Sequence, residues 1–247
     1  MTTFLRDTAT VFSREFKPAV REPAGLLFEM GQPLLFLFLF GSQLDGAVGS
    51  SWQWFVPGIL VMMCLTGPLS AGYTLLVELI GGSMERMLVT PLSRTAMLVG
   101  RAMKAVVVLL AQAVLIVLLA LPLGFVLHPA GVLAGLAQLL VFSVGLGSLS
   151  FVLAIKSAPS GTLFYVVSQS VLFPLLLLSG VLLPMETAPG WLRVLGHLNP
   201  VTYLVDAQRA LFSGNLADPS VLYGSAATCA IAAIGLYLGN RAMRKGV

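Results

Sequence analysis

From residue 105 to residue 155 the sequence contains no Asp, Glu, Lys or Arg. A transmembrane helix takes roughly 20 apolar residues. This one uncharged stretch therefore predicts two spans, 105–127 and 132–155, joined at His128-Pro129. Other apolar runs predict spans at 24–41, 54–80, 162–183 and 221–239. The expected fold class is all-α integral membrane: six transmembrane helices in a single domain, residues 1–247. The composition agrees, since only 10% of the chain is charged, against about 25% in a soluble domain. Six spans leave no length for a soluble catalytic domain.

The longest charged interruption is Gly81 to Lys104, which holds Glu85, Arg86, Arg94, Arg101 and Lys104. Ser83 can cap a short helix that starts there. Met84, Met87 and Leu88 share one face at helical spacing, and Glu85 and Arg86 point elsewhere. Thr90-Pro91 ends this helix and starts the next, because proline suits a first helical position. The segment reads as a short amphipathic helix at the membrane surface, offering an apolar face to a partner in the water. The same residues also suit a plain polar loop.

Residues 1–22 read as an interfacial amphipathic helix. Phe12, Phe16 and Val20 lie at four-residue intervals, with Arg6, Arg14, Lys17 and Arg21 on the other faces. Lys17-Pro18 is expected to kink or interrupt it. Acids mixed among the bases, and no small-residue cleavage site, argue against a cleavable signal. Residues 184–214 fall between the fifth and sixth spans. Trp191, Leu192, Leu195 and Leu198 mark one short amphipathic helix, and Asn199-Pro200 opens another with Val201, Leu204, Val205, Leu211 and Phe212 on its apolar face. Neither can cross a bilayer. They read as re-entrant helices dipping into the outer leaflet, or as helices lying flat on the surface. Trp191 and Phe212 are expected to be buried against spans or lipid.

Orientation follows from the bases. Twelve of them (Arg6, Arg14, Lys17, Arg21, Arg86, Arg94, Arg101, Lys104, Lys156, Arg241, Arg244 and Lys245) fall on one side of the six-span arrangement, and only Arg193 and Arg209 fall on the other. The larger set predicts cytoplasmic N- and C-termini. Because these bases flank apolar runs, the net charge of +4 points to membrane lipids and not to nucleic acid.

Sequence chemistry narrows the function. No lysine follows a glycine, so there is no phosphate-binding P-loop. No H-E-x-x-H occurs, and His128 and His197 are far apart in predicted outer loops. No metal-ligand spacing exists. Cys64 and Cys229 sit in apolar runs and read as small buried hydrophobes. A catalytic reading finds no residues to carry it. A gradient-driven transporter needs ionisable groups near mid-bilayer. Glu29, Glu78 and Lys104 lie instead near inner ends, and Thr66, Gln112, Gln138, Ser168 and Gln169 are uncharged. That rival and a non-transporting scaffold remain alternatives.

Met84-Glu85-Arg86-Met87-Leu88-Val89-Thr90-Pro91-Leu92-Ser93-Arg94, followed by Gly100-Arg101, resembles the cytoplasmic signature of type-2 ABC exporter permeases of the daunorubicin-resistance drug-export type. Later motifs agree: Ser179-Gly180, Pro184, Pro189-Gly190-Trp191-Leu192, Leu198-Asn199-Pro200-Val201-Thr202-Tyr203 and Ala207-Gln208-Arg209. Arg101 departs from the lysine many relatives carry. The resemblance implies a multi-pass permease of a prokaryotic cell membrane that exports an amphiphilic drug, antibiotic or lipid-like substrate. It implies a second permease chain, identical or sister, and two cytoplasmic ATPase subunits. ATP and Mg would sit on those subunits, with no cofactor in this chain. Met84, Glu85, Arg86, Met87, Leu88, Thr90, Pro91 and Arg94 would form the coupling helix. The second and fifth spans would line the dimer interface and the pathway, through Met62, Met63, Thr66, Phe164, Ser168 and Phe173. Trp191, Asn199, Pro200, Tyr203 and Arg209 would form an extracellular gate.

Overall fold

The computed structural model describes residues 2–21, 23–43, 51–82, 94–182, 184–185 and 188–245. Among these, the regular structure is entirely helical. Nine α-helices follow in order: α1 (Thr2–Arg21), α2 (Pro23–Gln43), α3 (Ser51–Ile80), α4 (Arg94–Ala120), α5 (Pro129–Ser157), α6 (Thr162–Leu178), α7 (Gly190–Leu198), α8 (Pro200–Phe212) and α9 (Pro219–Lys245).

Helix α3 is the axis of the bundle and packs against α2, α4, α5, α6 and α8. Every residue from Phe55 to Leu65 is buried. A helix enclosed on all sides must be apolar all round, and this stretch contains no charged residue. Pro57 and Pro68 stay inside the helix, where packed neighbours can satisfy the freed backbone groups.

Small residues set the closest approaches. A Cβ added at Gly145 of α5 would lie 2.6 Å from Ala232 Cα of α9, and one added at Gly235 would overlap the Gly145 carbonyl. One added at Gly224 of α9 would lie 2.5 Å from the Tyr203 carbonyl of α8, and one at Gly131 of α5 would overlap the Leu211 carbonyl. Without side chains at these places, backbones come into direct contact and dispersion contacts replace the absent hydrophobic drive within lipid. Helices α5, α8 and α9 thus form one closely fitted block.

Among the described residues, four helical stretches are long and apolar enough to cross a membrane: Trp52–Ile80, Val99–Leu123, Pro129–Ser157 and Pro219–Ala242. The other two expected spans are shorter apolar helices, Glu29–Gly41 within α2 and Thr162–Leu178. Glu29, Gln32 and Pro33 cut into the apolar run of α2. Helix α6 stops at Leu178, where the Ser179 hydroxyl bonds back to the Leu176 carbonyl and Gly180 takes φ 74°. Helix α4 begins at Arg94, well before the expected 105, since no proline or glycine pair breaks the charged turns. It stops at Ala120, where Pro122 and left-handed Gly124 impose a short 3₁₀ turn.

The N-terminal helix also differs from expectation. It runs through Pro18 unbroken. Its buried face against α4 is Asp7, Thr8 and Val11, continued by Glu15. Gly100 of α4 makes room for that face, since a Cβ there would lie 2.8 Å from Val11. Phe12 and Phe16 stack beside it at 5.2 Å, half-buried, and Val20 is exposed. Cys64 is buried, as expected, and its thiol donates to the Leu139 carbonyl at 3.2 Å. Cys229 departs from expectation and is exposed on α9.

Candidate functional site

The expected coupling residues Met84, Glu85, Arg86, Met87, Leu88, Thr90 and Pro91 lie outside the described residues. Arg94 is the first residue of α4. The structure does describe the frame on either side. Helix α3 ends at Ile80 in a turn through Gly81 and Gly82, with Gly82 at φ 69°. Two turns into α4, the Arg101 guanidinium donates to the Glu78 carboxylate of α3 and lies 3.7 Å from the Glu15 carboxylate of α1. Arg101 is only 8% exposed, and the two acids are 18% and 13% exposed. Through one nitrogen, Nη2, this cation thus bridges from α4 to both α3 and α1, close to the ends of the described residues on either side of 83–93. Removing one member of such a buried cluster leaves an uncompensated charge. Glu78 and Arg101 stood out in the sequence as charges at inner ends. Glu15 did not; its only signal is the four-residue step from Val11 on the face toward α4.

The end of the bundle at which α7 and α8 pack is built from backbone caps. Asn199 is buried; its Oδ1 accepts from Val201 N at 2.9 Å and its Nδ2 donates to the Leu175 carbonyl of α6 at 2.8 Å. Pro200 holds the first position of α8, exposed. Thr202 Oγ1 donates toward the Gly196 and Leu178 carbonyls, at 2.8 and 3.2 Å. Tyr203 OH donates to the His197 carbonyl at 2.9 Å. Arg209 lies 3.6 Å over the Trp54 ring, donates to the Gly180 carbonyl at 2.7 Å, and stands 3.9 Å from Asp206. Asn199, Tyr203 and Arg209 therefore join α7 and α8 to α3 and α6. Of the three, Arg209 lines a cavity of about 330 Å³, with Trp54, Arg193, His197, Thr202 and Asp206. Phe212 is buried among spans, as expected, and Trp191 is 67% exposed on the surface of the chain, where only lipid could cover it.

Gln208 belongs to the same region and was not singled out as a site residue. It is fully buried, and its amide donates to the Gly135 carbonyl at 3.1 Å and to Gln138 Oε1 at 2.8 Å. Its place beside Arg209 in the quoted motif was the only hint.

The six expected pathway residues are not gathered around one space. Met62 and Met63 are buried in the main core, and Phe164 is buried in a second, smaller one. Thr66 Oγ1 bonds back to the Met62 and Met63 carbonyls at 3.2 and 3.3 Å. The half-buried Ser168 has a hydroxyl with no partner among the described residues. Phe173 is 63% exposed. The cavity at Arg209, one of about 390 Å³ between α3, α4, α5 and α9, and one of about 290 Å³ between α1, α2, α3, α4 and α5 are all lined by other residues.

Comparison with known proteins agrees with this architecture. The ABC-2 type transporter family matches residues 6–213. A transport permease of Cyanophora paradoxa, ycf38, is 30% identical over 85% of this chain and 75% of its own length. The daunorubicin resistance ABC transporter permease protein DrrB1 of Streptomyces coeruleorubidus is 29% identical over 78% of this chain and 70% of its own. The multidrug ABC transporter permease YbhR of Escherichia coli is 27% identical over 65% of this chain and 44% of its own. With the family's match running from α1 to the end of α8, the chain belongs to the ABC-2 type transporters, as a multi-pass permease.

Proposed function

We propose that this chain is one half of an ATP-driven exporter for an amphiphilic drug-, antibiotic- or lipid-like cargo. It pairs with a second permease chain, and two cytoplasmic ATPase subunits dock on residues 83–93. The observation that carries the reading is the Arg101 clasp on Glu78 and Glu15. A force applied between α3 and α4 enters the bundle at this joint and reaches α1 with them. ATP binding by the partners would bias the permease between inward- and outward-facing packings, with all catalytic groups on the ATPase. The same reading makes α2 and α6 the first and fifth of six spans, puts the twelve-base side in the cytoplasm, and makes α7 and α8 the outer gate. Drug-resistance permeases among the relatives support an amphiphilic cargo.

The coupling segment gives the direct test. Leu88→Asp puts a charge into the apolar face formed by Met84, Met87 and Leu88. It is expected to weaken ATPase docking by about 2–5 kcal/mol. ATPase co-purification and stimulated nucleotide turnover, at equal membrane expression, measure the effect. Undiminished complex and turnover would remove the coupling role.

Topology is checked separately with single cysteines placed at the exposed Asn215 and Ser160. An impermeant thiol reagent added outside intact cells should label position 215 and leave position 160 unlabelled. The reverse pattern would invert the proposed orientation.

A further inference from the structure

The cavity of about 290 Å³ opens beside the Arg101 clasp, between α1, α2, α3, α4 and α5. Its polarity is graded along α4. Arg101 and Lys104 line one end, and Ala105, Val108 and Leu109 continue the wall into the apolar run as far as the uncharged Gln112. Glu15 of α1 and Glu29 of α2 line the charged end too.

These four charges are not equivalent. Arg101 and Glu15 already belong to the clasp. Lys104 and Glu29 form no ion pair with each other or with any other described residue. One cation and one anion, both uncompensated among the described residues, therefore face a single cavity with an apolar depth. In a chain that spans the membrane, the charged end of α4 lies near a bilayer surface and Val108 lies deeper. A purely anionic occupant would leave Glu29 unmatched, and a purely cationic one would leave Lys104 unmatched. Either mismatch is costly where water is scarce.

We propose that this cavity binds a zwitterionic phospholipid. The phosphate faces Lys104, the ammonium faces Glu29, and the start of an acyl chain follows Val108 toward Gln112. The inference depends on the chain spanning a membrane, and it holds whichever side that surface faces. It needs neither the ATPase nor a transport direction.

The test uses the whole permease, delipidated in detergent, with bound lipid counted by mass spectrometry under non-denaturing conditions. The probes are dioleoyl phosphatidylethanolamine, dioleoyl phosphatidylglycerol and chain-free phosphoethanolamine. Wild type should hold phosphatidylethanolamine at least about tenfold more tightly than phosphatidylglycerol, one charged contact's worth. Glu29→Gln should abolish that preference, and Lys104→Met should weaken both lipids. Glu29 is exposed and bonds to no other described residue, so its neutral variant keeps the fold. Equal retention of the two lipids by wild type would overturn the proposal. So would a preference that survives Glu29→Gln, or phosphoethanolamine binding as tightly as the lipid. Because no ATPase is present, each of these failures leaves the coupling reading untouched.

Discussion

Arg101→Met is expected to lower the stability of the folded permease by about 3–5 kcal/mol, the usual cost of removing one partner from a buried ion pair. The variant leaves Glu78 and Glu15 facing an apolar side chain, both largely shielded from water. Two unmatched carboxylates must then protonate, separate, or draw water in. Arg101→Lys keeps the charge on a more strongly hydrated head with different reach and should recover only part of the loss. Neutralising all three groups together, as Arg101→Met with Glu78→Gln and Glu15→Gln, should bring stability back toward wild type. Thermal unfolding in detergent measures each variant. A wild-type midpoint for Arg101→Met alone would show that the clasp holds nothing together.

Gly235→Val should be at least as damaging, about 3 kcal/mol or more, at the upper end of what overpacking costs. The obstacle there is the Gly145 backbone carbonyl, which cannot rotate away as a side chain could. Helices α5 and α9 would have to separate along their contact, taking the α8 packing with them. Gly147→Ala supplies a control on the facing helix α5, because its added Cβ would meet only Pro68 Cβ at an ordinary 3.8 Å. Yield of monodisperse protein and its melting temperature should fall sharply for the first variant and stay near wild type for the second. Equal behaviour of the two would mean that the close α5–α9 approach contributes nothing to the fold.

The long helices were legible because hydropathy is local: the uncharged run from 105 to 155 needs no partner to be read. Lengths at their ends were not, because the rules that end a helix compete. At Arg94 the charged turns simply continued the helix, and at Pro122 an apolar run ended early. The protein-facing side of α1 was hidden for another reason. The Phe12, Phe16 and Val20 stripe is a pattern within one helix, whereas the close packing of Val11, beside the buried Asp7 and Thr8, depends on Gly100, nearly ninety residues away. The clasp was half visible, since Glu78 and Arg101 flank the charged segment and Glu15 lies on a separate helix. Gln208 and Gln138 looked like isolated polar residues, and only three-dimensional packing joins them. The period of the Trp191 helix showed which face is apolar without showing whether spans or lipid cover it, and no span of the chain buries Trp191 by more than a third.

The fit of α8 against α5 and α9 has a mechanical consequence. A flap attached only to α6 could swing open while the bundle stood still. Here Leu211 rests on Gly131, Tyr203 on Gly224, and Gln208 is bonded to α5. Helix α9 has 27 residues, or about 40 Å at roughly 1.5 Å per residue. It is therefore a stiff strut with its basic tail at one end and α8 fixed against the other. A tilt imposed at the tail reaches α8 without any relay of side chains, and α8 moves only as far as the strut leans.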